Sequence, residues 1–199
     1  MVCALRICVY AILSGLFICA ESTAFAKEGK EGKALNAESN AESAPERSSK
    51  FQWNEHNKLT WEDFKGSVNA SSDESAAATH CGIGFKTNTI VPGGKPEIIV
   101  YNTFYTEKSW VRSDAKLPSI LNHEQGHFDL CEIYTRKLKG RMSKFDFNVP
   151  DVKQALMKVY SEISEEYESR QQTYEQETIH GTNLQQQKKW AQMIASELM

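Results

Sequence analysis

At residue 118 the spacing of the apolar side chains changes, and no other feature constrains the fold as much. Before it, residues 79–91 alternate. Thr79, Cys81, Ile83, Phe85, Thr87, Thr89 and Val91 take one side; His80, Gly82, Gly84, Lys86 and Asn88 take the other. A period of two is that of a half-buried strand. Pro92-Gly93-Gly94 supplies a turn and residues 97–105 (EIIVYNTFY) a second strand, so the pair predicts an antiparallel hairpin. From Pro118, a residue that fits the first turn of a helix, Ile120, Leu121, Phe128, Cys131, Leu138 and Met142 follow at helical spacing. Residues 143–150 break the pattern. Asp151 and Gln154 then form a capping signature, and Val152, Leu156, Val159, Ile163, Tyr167 and Tyr174 mark a long amphipathic helix that ends near Gly181. Asn183 and Gln186 cap a last helix lined by Leu184, Trp190, Ile194 and Leu198. Strands first and helices afterwards is the order of an α+β domain, here a small antiparallel sheet packed on two or three long helices.

The domain occupies residues 51–199. Trp53, Leu59, Trp61 and Phe64 are expected to join its core, with Thr60 capping a short turn. Residues 1–26 read as a cleaved secretory signal: Arg6 is the lone positive charge, residues 7–20 are uncharged and apolar, and Ala24-Phe25-Ala26 offers the cleavage site. The apolar run is shorter than the ~20 residues of a membrane span. Ile18 before Cys19 argues against lipid attachment. Residues 27–50 carry one large apolar side chain, Leu35, with equal numbers of positive and negative charges, and read as a disordered linker. The expected location is therefore secreted or periplasmic. Removing the signal leaves two cysteines, Cys81 and Cys131, and an oxidising compartment favours a disulfide between them. It would close a loop of about 50 residues, for roughly 4 kcal/mol. A net charge of −3, from 23 Lys and Arg against 26 Asp and Glu, offers no basic surface, so no nucleic-acid partner is expected.

The chemistry is concentrated in His123-Glu124-Gln125-Gly126-His127, an H-E-x-x-H motif. Residues four apart share one helix face, so both imidazoles reach a single metal ion. Glu124 falls beside that ion, placed to take a proton as general base. A shuffled chain of this composition would contain such a motif with a chance of roughly 1%. A catalytic zinc needs a third protein ligand and an open fourth place. Glu132 lies on the opposite side of the helix from His123, so the third ligand must come from elsewhere. Three residues compete: His180 beside Gly181, and Glu165 and Glu166, which a simple helical hairpin would bring level with His127. His56 and His80 are weaker candidates. Asp129 or Glu132 could orient an imidazole through its second N–H. Tyr101, Tyr105, Tyr160, Tyr167 and Tyr174 could offer a hydroxyl to a developing oxyanion.

Four segments occur in a recognisable order: Leu59 to Gly66 (LTWEDFKG), Ser109-Trp110-Val111, His123 to Asp129 (HEQGHFD), and Tyr174 to Gly181 (YEQETIHG) with Gln187 and Trp190 beyond. Together they resemble the bacterial domain of unknown function 922, whose members are described as predicted secreted zinc-dependent proteases of zincin-like type. The resemblance implies a zincin-like α+β fold and a zinc-dependent metallopeptidase acting on peptide or protein substrates. It implies one Zn2+ per chain held by His123, His127 and His180, with Glu124 as catalytic base and the metal between the motif helix and the sheet. It also implies a sheet edge for extended peptide, for which residues 97–105 are the candidate. Glu175 stands where the family pattern has aspartate. The competing readings are a zinc-stabilised binding module without turnover and a zinc-dependent amidase or esterase on a non-protein substrate.

Overall fold

The computed structural model describes residues 48–68, 75–88 and 96–199. The expected signal, nearly all of the linker and the turn at residues 92–94 lie outside them. The chain is α+β: among the described residues five strands, β1 (Lys50–Phe51), β2 (Ala77–Ala78), β3 (Cys81–Asn88), β4 (Glu97–Tyr105) and β5 (Trp110–Val111), precede three helices, α1 (Pro118–Met142), α2 (Val152–Thr178) and α3 (Leu184–Leu198).

The strands form two antiparallel sheets. One has the order β1-β4-β3 and the other pairs β2 with β5. The expected hairpin is β3 with β4, in register from Cys81 opposite Phe104 to Asn88 opposite Glu97. Alternation decides its inner face. Ile83, Phe85, Ile98 and Val100 pack on Leu138, Met142, Leu156 and Ile163, while Cys81 and Phe104 join Phe128, Cys131 and Tyr167. The expected free edge, residues 97–105, is instead the middle strand. β1 covers its end at Phe104 and Tyr105, and β3 runs along its whole length. The cause is the aromatic segment before it: Phe51 stacks on Phe104 at 5.0 Å and meets Phe128 edge-on at 6.0 Å, which draws β1 onto β4.

The helices begin where their caps dictate. Asp151 accepts from Gln154 N at 2.9 Å and Asn183 from Gln186 N at 3.2 Å. Pro118 opens α1. The α1–α2 hairpin is crossed by Arg141 to Glu162 at 2.8 Å and by Lys137 to Glu166. Both pairs are surface contacts of small energetic value. Cys81 and Cys131 are free thiols, not the expected disulfide. The Cys81 thiol is instead satisfied as a hydrogen-bonding group, at 3.8 Å from His127 O and 3.5 Å from Tyr167 Oη. Contact with Cys131 lowers the Cys81 pKa, and burial raises that of Cys131.

Two glycines of α1 have opposite surroundings. A Cβ on Gly126 would stand 2.2 Å from Tyr174 Oη, whereas one on Gly140 would meet nothing within 4 Å. Gly126→Ala is therefore expected to lose about 1–3 kcal/mol through overpacking, despite alanine's better helix propensity. Gly140→Ala should gain up to about 1 kcal/mol. Denaturant unfolding of the two variants checks both signs.

Candidate metal centre

The site forms where the start of α1 meets the end of α2 and the start of α3. His123 and His127, one turn apart, point their Nε2 atoms to the same place, 3.1 Å from each other. The third group is Glu175, near the end of α2. Its Oε2 lies 2.8 Å from His123 Nε2 and 3.2 Å from His127 Nε2. The three donor atoms lie within 4.8 Å of one another, and among the described residues this is the cluster able to hold a metal ion. No sheet residue enters the donor set, which comes from α1 and α2.

Each imidazole is held from behind by an amide. Gln171 Oε1 is 2.6 Å from His127 Nδ1, and Gln187 Oε1 is 3.1 Å from His123 Nδ1. An amide carbonyl only accepts, so each Nδ1 is the donor, and Nε2 is the nitrogen turned to the centre. The amides are themselves anchored. Gln171 Nε2 donates to His127 O at 3.0 Å and to Tyr167 Oη at 2.9 Å; Gln187 Nε2 donates to Tyr174 Oη at 2.7 Å. The Tyr174 ring lies flat on His123, with centroids 4.8 Å apart, and its hydroxyl donates to His123 O at 3.0 Å.

Burial makes this cluster electrostatically strong. Burial opposes the charge on Glu175, but the two imidazoles against it hold its carboxyl far below the usual range. Burial also opposes protonation of His127, yet the bond and charge of Glu175, with help from Glu124 and Gln171, raise it to about 9. Glu124 is 3% exposed, and its Oε2 is a buried oxygen without a hydrogen-bond partner. Leaving such a group unsatisfied is costly unless another species uses it.

The other expected residues are placed as follows. His180, expected as third ligand, stands one hydrogen bond outside the donor set, with Nδ1 2.7 Å from Glu175 Oε1. Glu166 pairs with Lys137, and Glu165 accepts from Ser161 at 3.1 Å on the exposed face of α2. The hairpin register explains the difference. Residues 143–151 and the first turns of α2 overshoot the end of α1, so Gln171, not Glu166, comes level with His127. Asp129 accepts from Trp53 Nε1 and Gln125 Nε2, and Glu132 from Asn102 and Arg136, so neither orients an imidazole. Tyr160, Tyr167 and Tyr174 have their hydroxyls engaged inside the fold. His80 packs edge-on against Tyr105 at 5.6 Å, and His56 pairs with Glu55 at the surface. Sequence reasoning missed Glu175 as a donor, Gln171, and Thr178, whose Oγ1 lies 3.4 Å from His123 Nδ1. Their one signal is spacing: Gln171, Glu175 and Thr178 follow one another at four and three residues, a single helix face.

No helix among the described residues is long and apolar enough to cross a membrane. A family model described as bacterial protein of unknown function (DUF922) matches residues 23–181. No curated protein and no solved structure matches the chain.

The ion pair at the centre gives the metal-free protein a pH signature. A His127 pKa raised from 6.5 to about 9 contributes stability that is full below pH 6.5 and lost as pH rises through about 9. The lowered Glu175 pKa contributes above pH 4.5 and is lost as pH falls. The thermal midpoint of metal-stripped protein should therefore decline between pH 6.5 and 9. Glu175→Gln should flatten that decline, and superimposable profiles would show that the pair does not couple to folding.

Proposed function

The chain belongs to the bacterial family of unknown function DUF922, and from the chemistry of its buried donor set we propose that it is a zinc-dependent hydrolase, a metallopeptidase. The observation that carries the reading is the convergence of two imidazole nitrogens and one carboxylate oxygen, with the neighbouring Glu124 holding a buried Oε2 that has no hydrogen-bond partner.

Two imidazoles and a carboxylate form a zinc set and leave a fourth place for water or substrate. Imidazole disfavours magnesium and calcium, which take oxygen ligands. The same three donors also serve non-haem iron. Glu124 favours hydrolysis, because an oxygen-activating iron site has no need of an adjacent buried base. It also favours an enzyme over a metal-stabilised binding module, for which that carboxylate would be a cost without a use.

A zinc ion held there lowers the pKa of water toward ~7 and polarises a carbonyl. The remaining work falls to the chain. Glu124 accepts a proton from the attacking water through its free Oε2 and returns it to the leaving amine as the carbon–nitrogen bond breaks. Gln171 and Gln187 keep both Nε2 atoms aimed inward throughout. Tyr174 shields the His123 face from solvent. The reading of residues 1–26 as a secretory signal supports an activity outside the cytoplasm, and the proposed substrates are peptides or proteins.

Purified protein is expected to hold about one zinc per chain. His123→Ala and Glu175→Ala should lose it. Glu124→Gln should keep zinc while peptide hydrolysis falls about 100-fold or more. Metal analysis beside a peptide-cleavage assay decides: retained activity in Glu124→Gln sinks the mechanism, and full zinc in both ligand variants sinks the site.

A further inference from the structure

The turn after α2 is held in a backbone conformation that needs explaining. Ile179, His180 and Gly181 have φ of 49°, 53° and 77°. Three successive left-handed residues are unusual, and a β-branched residue there is a genuine outlier. Such strain persists where surrounding structure enforces it, commonly at functional sites. Burial does not repay it at Ile179, whose side chain is 57% exposed.

What the turn achieves is contact with the metal centre at two points. Gly181 lies against His123, so closely that a Cβ would fall 2.8 Å from His123 Cβ. His180 reaches back to Glu175. On a continuing helix a residue five positions on would point about 140° away. The left-handed turn cancels that rotation and brings His180 Nδ1 to 2.7 Å from Glu175 Oε1. The two oxygens of Glu175 are thereby divided: Oε1 faces His180, and Oε2 alone faces His123 and His127.

Building on the metal reading above, we propose that His180 is a positioning residue that makes Glu175 a one-oxygen ligand. Zinc carboxylates bind through one oxygen or two, and a second oxygen would occupy the place that water or substrate needs. By holding Oε1 in a hydrogen bond, His180 keeps that place open. The strain at Ile179 and His180 is the cost of turning back to Oε1 from just beyond the end of the helix.

Cobalt(II) tests this without any turnover, since four-coordinate cobalt absorbs visible light several-fold more strongly than five-coordinate cobalt. The variants are His180→Gly, which removes the donor and suits a positive φ, and His180→Asn, which also tolerates that backbone and returns an N–H at the place of Nδ1. Wild type and His180→Asn should show the intense four-coordinate spectrum. His180→Gly should show the weak one and bind zinc about 10–100-fold less tightly. An unchanged spectrum and affinity in His180→Gly overturns the proposal. Loss of metal by both variants overturns it as well, because His180 would then be a ligand itself. Wild-type protein that takes up neither cobalt nor zinc overturns the metal reading, and this proposal with it.

Discussion

The architecture turns on one close approach, that of Tyr174 to the backbone of α1 at Gly126. The missing Cβ lets the phenol ring lie flat on His123 and its hydroxyl reach His123 O. The same hydroxyl accepts from Gln187 on α3, and Trp190 meets the ring edge-on at 5.2 Å. One buried side chain therefore fixes the spacing of all three helices, and every group of the candidate metal centre takes its position from that spacing. A larger residue at 126 would part α1 from α2 and move Glu175 away from the two imidazoles. The glycine inside the H-E-x-x-H motif is a packing residue as much as a spacer.

Around that contact, charge is confined to the centre. The groups behind the imidazoles are neutral amides, Gln171 and Gln187, where a carboxylate would add a buried negative charge. The amides orient the rings at lower desolvation cost, and their N–H groups bind the helix backbone and tyrosine hydroxyls into one network. Glu175 is thus the carboxylate that meets the imidazoles, which is why its acidity and that of His127 move in opposite directions.

What the chain's sequence makes legible is set by the range of each interaction. The α1 boundaries, the caps at Asp151 and Asn183, and the β3–β4 hairpin were legible because caps, proline and side-chain periodicity act over a few residues. The pairing of His123 with His127 was legible for the same reason, since one helical turn separates them. The hairpin register was not. It depends on how residues 143–151 leave one helix and enter the next, and a difference of five residues there carries a side chain about 7.5 Å along the axis. That displacement is what separates Glu166, on the surface with Lys137, from Gln171 against His127.

The sequence by itself determined the class of the fold, the order of its elements and two imidazoles with a neighbouring acid on one helix face, all consequences of local spacing. Tertiary structure alone decided that Glu175 completes the donor set, that His180 stands behind it, and that Cys81 and Cys131 meet as thiols. The first and last of these rest on contacts between residues about 50 positions apart, and the second on a left-handed turn that folds the chain back across five residues. Such contacts are set by helix register, by the space left at Gly126 and by a left-handed turn, and none of these has a periodic signature along the chain.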